Sequence, residues 1–227
     1  MGRAIFVTSP ARGAGKTLVA LAWVRALRRR GHRAIGVKPI DTACAPGADH
    51  DLLSIDGRHL QTVSGPPDVP YTVIAPYRLG SPLAPGLALA EAGLDLSLDE
   101  LTETVRDAEK WGDVLVVEGP WSALAPLTAG SVALDLAKSL EARVVIVTDD
   151  AIEPTLETVA AVRARGLILM GIVVSRAETD AAALSAKAAC PVITLGALTG
   201  DLEARVTAAE TALEAWARDP FAETRPS

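Results

Sequence analysis

The chain has 227 residues, of which 49% are hydrophobic and 22% are charged, so it can bury the core of one large α/β domain. Its net charge of -6 argues against a general nucleic-acid-binding or anionic-membrane surface, because phosphate groups attract basic patches. We therefore expect one domain over residues 1–219 and a flexible tail over 220–227, with neither nucleic acid nor a membrane as a partner.

The two cysteines predict a reducing compartment. Cys44 and Cys190 lie far apart in the sequence, so they suit neither a zinc-binding quartet nor a disulfide framework. No run approaches about 18 apolar residues, and the first residues lack the basic region and long apolar core of a signal peptide. These features predict a cytoplasmic protein.

Short apolar runs of strand length alternate with helical patterns along the chain. Each run is nearly continuous in Val, Ile and Leu, which is typical of strands covered on both faces. The predicted strands are 3–8, 34–40, 114–118, 144–148, 168–174 and 192–195. The predicted helices are 16–30, 98–111, 132–140, 153–165 and 180–189, with shorter helical patterns from residue 52 and over 87–92. This alternation predicts an α/β fold with a doubly wound, mostly parallel sheet of about six to seven strands and helices on both faces.

The first predicted strand leads through a loop of small residues into a helix that opens with Lys16 and Thr17. Backbone N–H groups at the start of a helix have no intrahelical partner and can bind phosphate oxygens. The segment resembles the P-loop pattern G-x-x-x-x-G-K-[ST], with Pro10 in place of the first glycine. Lys16 would reach the β- and γ-phosphates of a nucleotide and the Thr17 hydroxyl would hold Mg²⁺, the alternative being a Gly-rich turn that binds no ligand. The predicted nucleotide-binding residues here are Gly13, Ala14, Gly15, Lys16, Thr17 and Leu18, in a P-loop NTPase-like fold.

Two charged residues follow later strands, at the sheet edge where ligands bind in such folds. Lys38 ends the second strand, where a buried lysine is costly unless an anion pairs with it, so it is a candidate second cation. Glu118 ends the third strand, where a nucleotide-hydrolysing fold keeps a carboxylate for its metal. The alternatives are a lysine whose ammonium reaches water and a structural glutamate paired with a lysine.

Other polar residues at strand ends give less specific predictions. Asp49 and Asp51 flank His50, and either carboxylate could approach Mg²⁺, although capping of the following helix explains them equally well. Asp150 likewise lies near the edge of the sheet and suits a helix cap. Ser175 follows the fifth strand, where a purine ring could be enclosed.

Four segments, in this order and over residues 3–198, resemble the dethiobiotin synthetase family. They are the P-loop ending in Gly15-Lys16-Thr17, the VKPIDT of 37–42, the stretch 76–86 containing Pro76-Tyr77 and Ser81-Pro-Leu-Ala-Pro-Gly86, and the VEG of 117–119 followed by Pro126-Leu127-Thr128. The order and spacing of all four segments make this resemblance more specific than any one motif.

The resemblance implies an ATP- and Mg²⁺-dependent ligase of biotin biosynthesis that acts as a homodimer. Members of this family make a carbamate from 7,8-diaminononanoate and CO2, phosphorylate it, and close a ureido ring with loss of phosphate. By resemblance, Lys16 binds the transferred phosphate, Lys38 stabilises the carbamate, and Thr42 lies in the substrate pocket. The implied Mg²⁺ ligands are Thr17, Asp51 and Glu118, and Ser175 takes the place of an asparagine that meets adenine.

The chain departs from the family pattern around the phosphates and the substrate. The loop before Gly15 lacks the family's acidic residue and hydroxyls, and Arg12 adds a cation. Pro120 and Trp121 replace small residues after the VEG, and Ala84-Pro85-Gly86 replaces an S-P-H. Two alternatives therefore stay open: a related ligase for another amine or carboxylate, and a ParA-like protein whose dimerisation depends on ATP. ParA-like proteins usually carry a second lysine early in the loop, which this chain lacks.

Overall fold

A sheet of six parallel strands lies at the centre of the protein in the computed structural model. The structure describes residues 3–47, 51–149, 151–175, 180–218 and 220–221. The strands of this sheet are β1 (Arg3–Thr8), β2 (Ala34–Val37), β3 (Val114–Glu118), β4 (Arg143–Thr148), β5 (Leu169–Val174) and β6 (Val192–Thr194). Their order across the sheet is β6-β5-β4-β1-β3-β2, and all neighbouring pairs are parallel. The predicted doubly wound, parallel α/β fold is confirmed.

Helices surround this sheet, and short strand pairs lie outside it. In the described residues the α-helices are α1 (Lys16–Arg29), α2 (Ile55–Val63), α3 (Tyr71–Ile74), α4 (Pro85–Glu91), α5 (Leu98–Arg106), α6 (Ala133–Ser139), α7 (Ile152–Ala164), α8 (Ala181–Ala188) and α9 (Leu202–Leu213). Turns of 3₁₀ helix cover Asp107–Lys110 and Trp216–Arg218. The short pairs join Ile40–Asp41 to Tyr77–Arg78, Ala45–Pro46 to Leu52–Leu53, and Pro126–Thr128 to Ser131–Val132.

Three adjacent strands bring their carboxyl ends to one edge of the sheet. β3 lies between β1 and β2, and all residues of these strands except Arg3 are buried. Burial on both faces explains their continuous apolar runs. Residues that follow these three strands are therefore neighbours, although they are distant in the sequence.

The second strand is shorter than predicted because Pro39 interrupts it. Proline has no N–H to donate to a strand ladder, so β2 ends at Val37 rather than at residue 40. The backbone N–H of Lys38 donates instead to the Ile74 carbonyl at 2.7 Å, and the Pro39 carbonyl accepts from Tyr77 at 3.2 Å. This change of partner sets Lys38 just beyond the carboxyl end of β2.

The helices differ from the sequence prediction in several places. The pattern expected from residue 52 begins as a strand pair, and α2 starts only after Ser54, whose hydroxyl accepts the Gly57 N–H at 2.8 Å. The predicted helix 98–111 leaves α-helical geometry after Arg106. Helix α9 was not predicted, because its apolar residues follow no strong helical period, and it packs mainly against α1.

One hydrophobic core extends from Ala4 to Ala217, with Phe221 packed against it. Residues 222–227 lie outside the described residues, so the division into a domain of 1–219 and a tail of 220–227 stays a prediction. Among the helices that the structure describes, none is both long enough and apolar enough to cross a bilayer.

Candidate functional site

The loop between β1 and α1 has the geometry of an anion-binding turn. Gly13 and Gly15 adopt φ values of 79° and 96°, a left-handed conformation that glycine reaches without steric cost. Gly15 caps α1, and in the described part of the chain no side chain accepts a hydrogen bond at this cap. Ala14 and Leu18 are buried, so they can offer a ligand only their backbone groups. The start of α1 is therefore open to phosphate oxygens.

The residues after β1, β2 and β3 line one cavity of about 290 Å³. It lies next to the P-loop and contains most of the side chains predicted from the sequence. The lining residues are Arg12, Gly13, Gly15, Lys16, Thr17, Lys38, Ile40, Asp41, Thr42, Asp56, Glu118 and Trp121. The structure thus brings together Lys16, Lys38 and Glu118, which the strand-end argument placed at this edge.

Lys38 is a buried cation held by two carboxylates. Its ammonium donates to Glu118 Oε1 at 2.5 Å and to Asp56 Oδ2 at 3.0 Å. Burial alone would lower the pKa of Lys38, but the negative charges of Glu118 and Asp56 outweigh burial and raise the pKa. Lys38 therefore stays protonated inside the cavity.

Lys16, in contrast, has no carboxylate within hydrogen-bond distance among the described residues. Its ammonium donates to the Ser9 hydroxyl at 3.0 Å and to the Trp121 carbonyl at 2.5 Å. Burial lowers the pKa of Lys16 to about 8, only partly offset by the charge of Glu118. An incoming anion would favour the charged form of this lysine, because it would supply the missing opposite charge.

Oxygen donors at the cavity suit a magnesium ion. The Thr17 hydroxyl donates to Glu118 Oε1 at 2.9 Å, whereas the buried Glu118 Oε2 has no hydrogen-bond partner. In the described part of the chain, no group of three or more His, Cys, Asp and Glu residues could hold a metal by itself. Mg²⁺ characteristically takes one or two carboxylates and completes its shell with waters and substrate phosphates. A hydroxyl, an unpartnered carboxylate oxygen and Asp56 therefore fit this ion.

Asp51 does not lie in the cavity. Arg78 holds its carboxylate through bonds of 2.7 and 2.9 Å, and the Leu52 N–H donates to it at 2.8 Å. These bonds lower the pKa of Asp51, which is exposed. Asp51 as a metal ligand stays a prediction, and the acidic residue of α2 that lines the cavity is Asp56, which accepts from Lys38 at 3.0 Å. Asp49, His50 and Asp150 lie outside the described residues.

The remaining predicted residues lie at the rim of the site. Thr42 lines the cavity, and its hydroxyl accepts the Trp121 indole N–H at 2.9 Å. Ser175 is not among the lining residues, and its hydroxyl donates to the Thr148 carbonyl at 3.1 Å. A Cβ added to Gly15 would lie 3.3 Å from Ser175 Cβ, so Ser175 packs directly against the P-loop.

Sequence comparison identifies the family to which this cavity belongs. A family model described as an AAA domain matches residues 3–204. An ATP-dependent dethiobiotin synthetase BioD from Xanthomonas axonopodis pv. citri is 37% identical over 179 residues, covering 77% of this chain and 79% of the relative. The chain belongs to the ATP-dependent dethiobiotin synthetase family. A second synthetase of that name, from Anaeromyxobacter dehalogenans strain 2CP-1, is 37% identical over 177 residues and covers 77% of each chain.

Solved structures confirm the P-loop NTPase fold of this synthetase family member. The septum site-determining protein MinD of Pyrococcus horikoshii, solved with Mg-ADP, matches with a TM-score of 0.60 at 17% identity, covering 98% of this chain and 97% of that one. A chain of the MinC:MinD cell division protein complex of Aquifex aeolicus matches with a TM-score of 0.58 at 12% identity, covering 100% of this chain and 98% of that one. At such identities the likeness concerns the fold alone. The ParA-like alternative is therefore not favoured, and the predicted synthetase family and ligase class are confirmed by the sequence relatives.

Sequence reasoning missed two acidic residues of the synthetase site. Asp56 stands in the first turn of α2, where an acidic residue is commonly explained by the helix dipole. Asp41 lines the cavity, and its carboxylate accepts the Ser54 hydroxyl at 2.5 Å. No local pattern distinguishes these carboxylates from ordinary helix-start and strand-end residues.

Proposed function

We propose that this chain is the ATP-dependent ligase that converts 7,8-diaminononanoate and CO2 to dethiobiotin. The observation that carries the proposal is one cavity in which Lys16, Lys38, Thr17 and Glu118 meet at the start of α1, in a member of the dethiobiotin synthetase family. Phosphoryl transfer depends on positioned cations and metal more than on covalent catalysis, and this cavity supplies both kinds of group.

The proposed reaction has three steps. One amine of the substrate attacks CO2, loses a proton and becomes a carbamate. A carbamate oxygen then forms a bond to the γ-phosphorus of ATP while the bond from that phosphorus to the β,γ-bridging oxygen breaks, and ADP leaves with the electron pair. The second amine attacks the carbamoyl carbon, loses a proton and expels phosphate, which closes the ureido ring.

The lysines have separate roles in this proposal. Lys16 and the free N–H groups of residues 13–18 bind the β- and γ-phosphates. Among the described residues no carboxylate bonds to Lys16, so none competes with these phosphates. Lys38, kept protonated by its carboxylate partners, stabilises the carbamate and the charge on the transferred phosphoryl group. Thr42 forms part of the substrate pocket, and Ser175 lies beside the P-loop toward the nucleotide.

We assign the proposed Mg²⁺ to Thr17, Glu118 and Asp56, with Asp56 taking the role first assigned to Asp51. When bound, this ion would neutralise part of the triphosphate charge. The carboxylates also keep Lys38 charged, so each of them serves the phosphoryl-transfer site in the absence of the metal as well.

We also propose that the protein is a homodimer. Three leucines that a monomer would leave in water lie on or just before two segments that pack together. Leu87 lies on α4, Leu83 two residues before α4, and Leu124 two residues before the strand Pro126–Thr128. Their exposed fractions are 41% for Leu83, 59% for Leu87 and 50% for Leu124. A second copy of the chain covering these leucines would remove their apolar surface from water. Sedimentation of the protein and of Leu87→Glu tests this, and a monomeric parent protein would contradict it.

Product formation tests the catalytic proposal directly. With ATP, Mg²⁺, bicarbonate and 7,8-diaminononanoate, we expect ADP and phosphate in equal amounts and a product whose mass is that of dethiobiotin. Omission of the diamine should abolish both signals. Folded protein that binds ATP but yields no product with this diamine would contradict the proposed substrate.

The predicted reducing compartment stays part of this proposal. Cys44 and Cys190 are both free thiols, which fits a cytoplasmic protein.

A further inference from the structure

Arg12 is a cation of the P-loop with no role in the mechanism above. It lies in the loop before α1, is exposed, and lines the same cavity as Lys16 and Lys38. Among the described residues, Arg12 forms no ion pair with a carboxylate, whereas Lys38 forms two. Its guanidinium therefore contributes a full positive charge to the mouth of the cavity.

An aromatic ring holds Arg12 in this place. The guanidinium carbon lies 4.5 Å from the centre of the Trp121 ring, within the range of a cation–π contact. Such a contact orients a guanidinium without neutralising its charge, unlike a carboxylate partner. The N–H groups of Arg12 thus stay available to a ligand, and five donors in one plane suit a phosphoryl group.

Trp121 is itself fixed at several points. Its indole N–H donates to Thr42 at 2.9 Å, and its carbonyl accepts from Lys16 at 2.5 Å. The next bond along the turn runs from the Ala123 N–H to the Ser9 carbonyl at 2.8 Å. Trp121 has a φ of 51°, an uncommon conformation for a residue other than glycine, and these bonds hold it there.

The position of this ring indicates which phosphate Arg12 would meet. Trp121 lies between Lys16, which is proposed to bind the β- and γ-phosphates, and Thr42, which is proposed to face the substrate. Arg12 stacks on this ring and lines the same cavity, so its charge lies near both a phosphate bound by Lys16 and a substrate beside Thr42. The γ-phosphoryl group is the part of ATP that is transferred from the nucleotide to the substrate.

We propose that Arg12 binds the γ-phosphoryl group of ATP during its transfer, and that Trp121 is a positioning residue that holds the guanidinium in place. This inference rests on the proposed function, since it needs ATP in the same cavity. It adds a third cation, beside Lys16 and Lys38, to the group on which charge changes during the reaction.

Nucleotide affinities with and without a γ-phosphate test the role of Arg12. We expect Arg12→Ala to weaken binding of the ATP analogue AMP-PNP by about tenfold or more, while ADP affinity changes by less than about twofold. Turnover should fall by about 10²-fold or more, because the contact is strongest during transfer. Arg12→Lys should restore part of the loss. Arg58→Ala is a matched control, because Arg58 also stacks on an aromatic ring, Tyr71 at 3.9 Å, but outside the cavity.

Substitutions of the ring test the positioning role of Trp121. Trp121→Phe keeps an aromatic face, so it should keep most of the preference for AMP-PNP over ADP. Trp121→Leu removes that face and should reproduce the loss seen in Arg12→Ala. The double variant Arg12→Ala/Trp121→Leu should be no worse than either single variant, because both act through one contact. A loss of preference in Trp121→Leu that adds to that of Arg12→Ala would overturn the positioning role.

The same measurements separate failure of this inference from failure of the proposed function. If Arg12→Ala binds AMP-PNP and ADP as the parent protein does while Lys16→Ala loses affinity for both, the role of Arg12 is overturned and the proposed function stands. If the folded parent protein binds neither nucleotide, both are overturned.

Discussion

Two glutamates are almost completely buried in this protein, and they differ in what their carboxylates contact. Glu118 is 1% exposed and Glu210 is 3% exposed. Glu210 lies on α9 and faces two arginines of α1, Arg25 at 3.1 Å and Arg29 at 2.6 Å, one at each oxygen. Among the described residues neither Glu210 oxygen accepts a hydrogen bond, so these contacts are ion pairs alone. Glu118 instead accepts hydrogen bonds at Oε1, from Lys38 and Thr17, and none at Oε2.

The difference shows how to distinguish a structural charge from a functional one. Burial of a carboxylate is costly, so a carboxylate that serves packing is expected to have its charge balanced by cations of a neighbouring element. Glu210 fits this description and joins α9 to α1. Glu118 differs in its surroundings, because it lines the cavity beside the P-loop together with Lys16, Thr17 and Lys38. The predictions below test this contrast at each end of α1.

Removal of Lys38 should have the largest effect. We expect Lys38→Ala to lower turnover by about 10²–10³-fold, because it removes a cation from the group that gains charge. ATP affinity should change much less, since Lys38 is proposed to bind the carbamate. Rapid-quench turnover and titration with AMP-PNP measure the two quantities. Circular dichroism controls for folding, because the variant leaves Glu118 buried without its ion pair. Equal losses of affinity and turnover would show that Lys38 belongs to the nucleotide site instead.

Removal of Lys16 should weaken nucleotide binding itself. Charge-assisted hydrogen bonds contribute roughly 1.5–3 kcal/mol each, so Lys16→Ala should weaken ATP binding by about tenfold or more. Calorimetric titration measures the affinity. Lys110→Ala is the control, because this lysine is 73% exposed and pairs only with Asp107. Unchanged affinity in Lys16→Ala would count against the nucleotide site as a whole.

The matched substitutions Glu210→Gln and Glu118→Gln compare the two carboxylates directly. Glu210→Gln should lower the free energy of unfolding by about 1–3 kcal/mol, measured in urea, and leave turnover unchanged. The cost is less than that of breaking a fully buried pair, because Arg29 is 65% exposed and can be hydrated. Glu118→Gln should instead lower turnover and raise the Mg²⁺ concentration required. If Glu210→Gln were fully folded and still lost turnover, the distinction between a structural Glu210 and a functional Glu118 would be wrong.

The two aspartates near α2 should give the smallest and most specific difference. Asp56→Asn should raise the Mg²⁺ concentration needed for half-maximal turnover by about tenfold, as expected for loss of a metal-site carboxylate. Asp51→Asn should leave this Mg²⁺ concentration unchanged and have little effect on stability, because the Asp51 carboxylate is exposed to solvent. Turnover measured over a range of Mg²⁺ concentrations distinguishes them. If Asp51→Asn raised this Mg²⁺ concentration and Asp56→Asn did not, Asp51 would be the metal ligand instead.

Much of the nucleotide site could be predicted because it depends on local signals and on sheet topology. A buried strand, two glycines and Lys16-Thr17 define the P-loop without long-range information. Lys38 and Glu118 each end an apolar run, and parallel strands bring such ends to one edge. The predicted strand 34–40 was too long, although Pro39 was visible, because the run of apolar residues continues past it.

The sequence by itself determined the parallel sheet, the phosphate-binding turn and the edge at which charged residues gather, since these follow from short-range patterns and from strand order. Only the tertiary structure decided that Asp56 rather than Asp51 lines the cavity, that Arg12 stacks on Trp121, and that Glu210 pairs with two arginines while Glu118 meets Lys38 and Thr17. Each of these depends on which side chains from distant segments meet once the helices pack on the sheet. The hydrophobic periodicity of a single segment does not indicate such a contact.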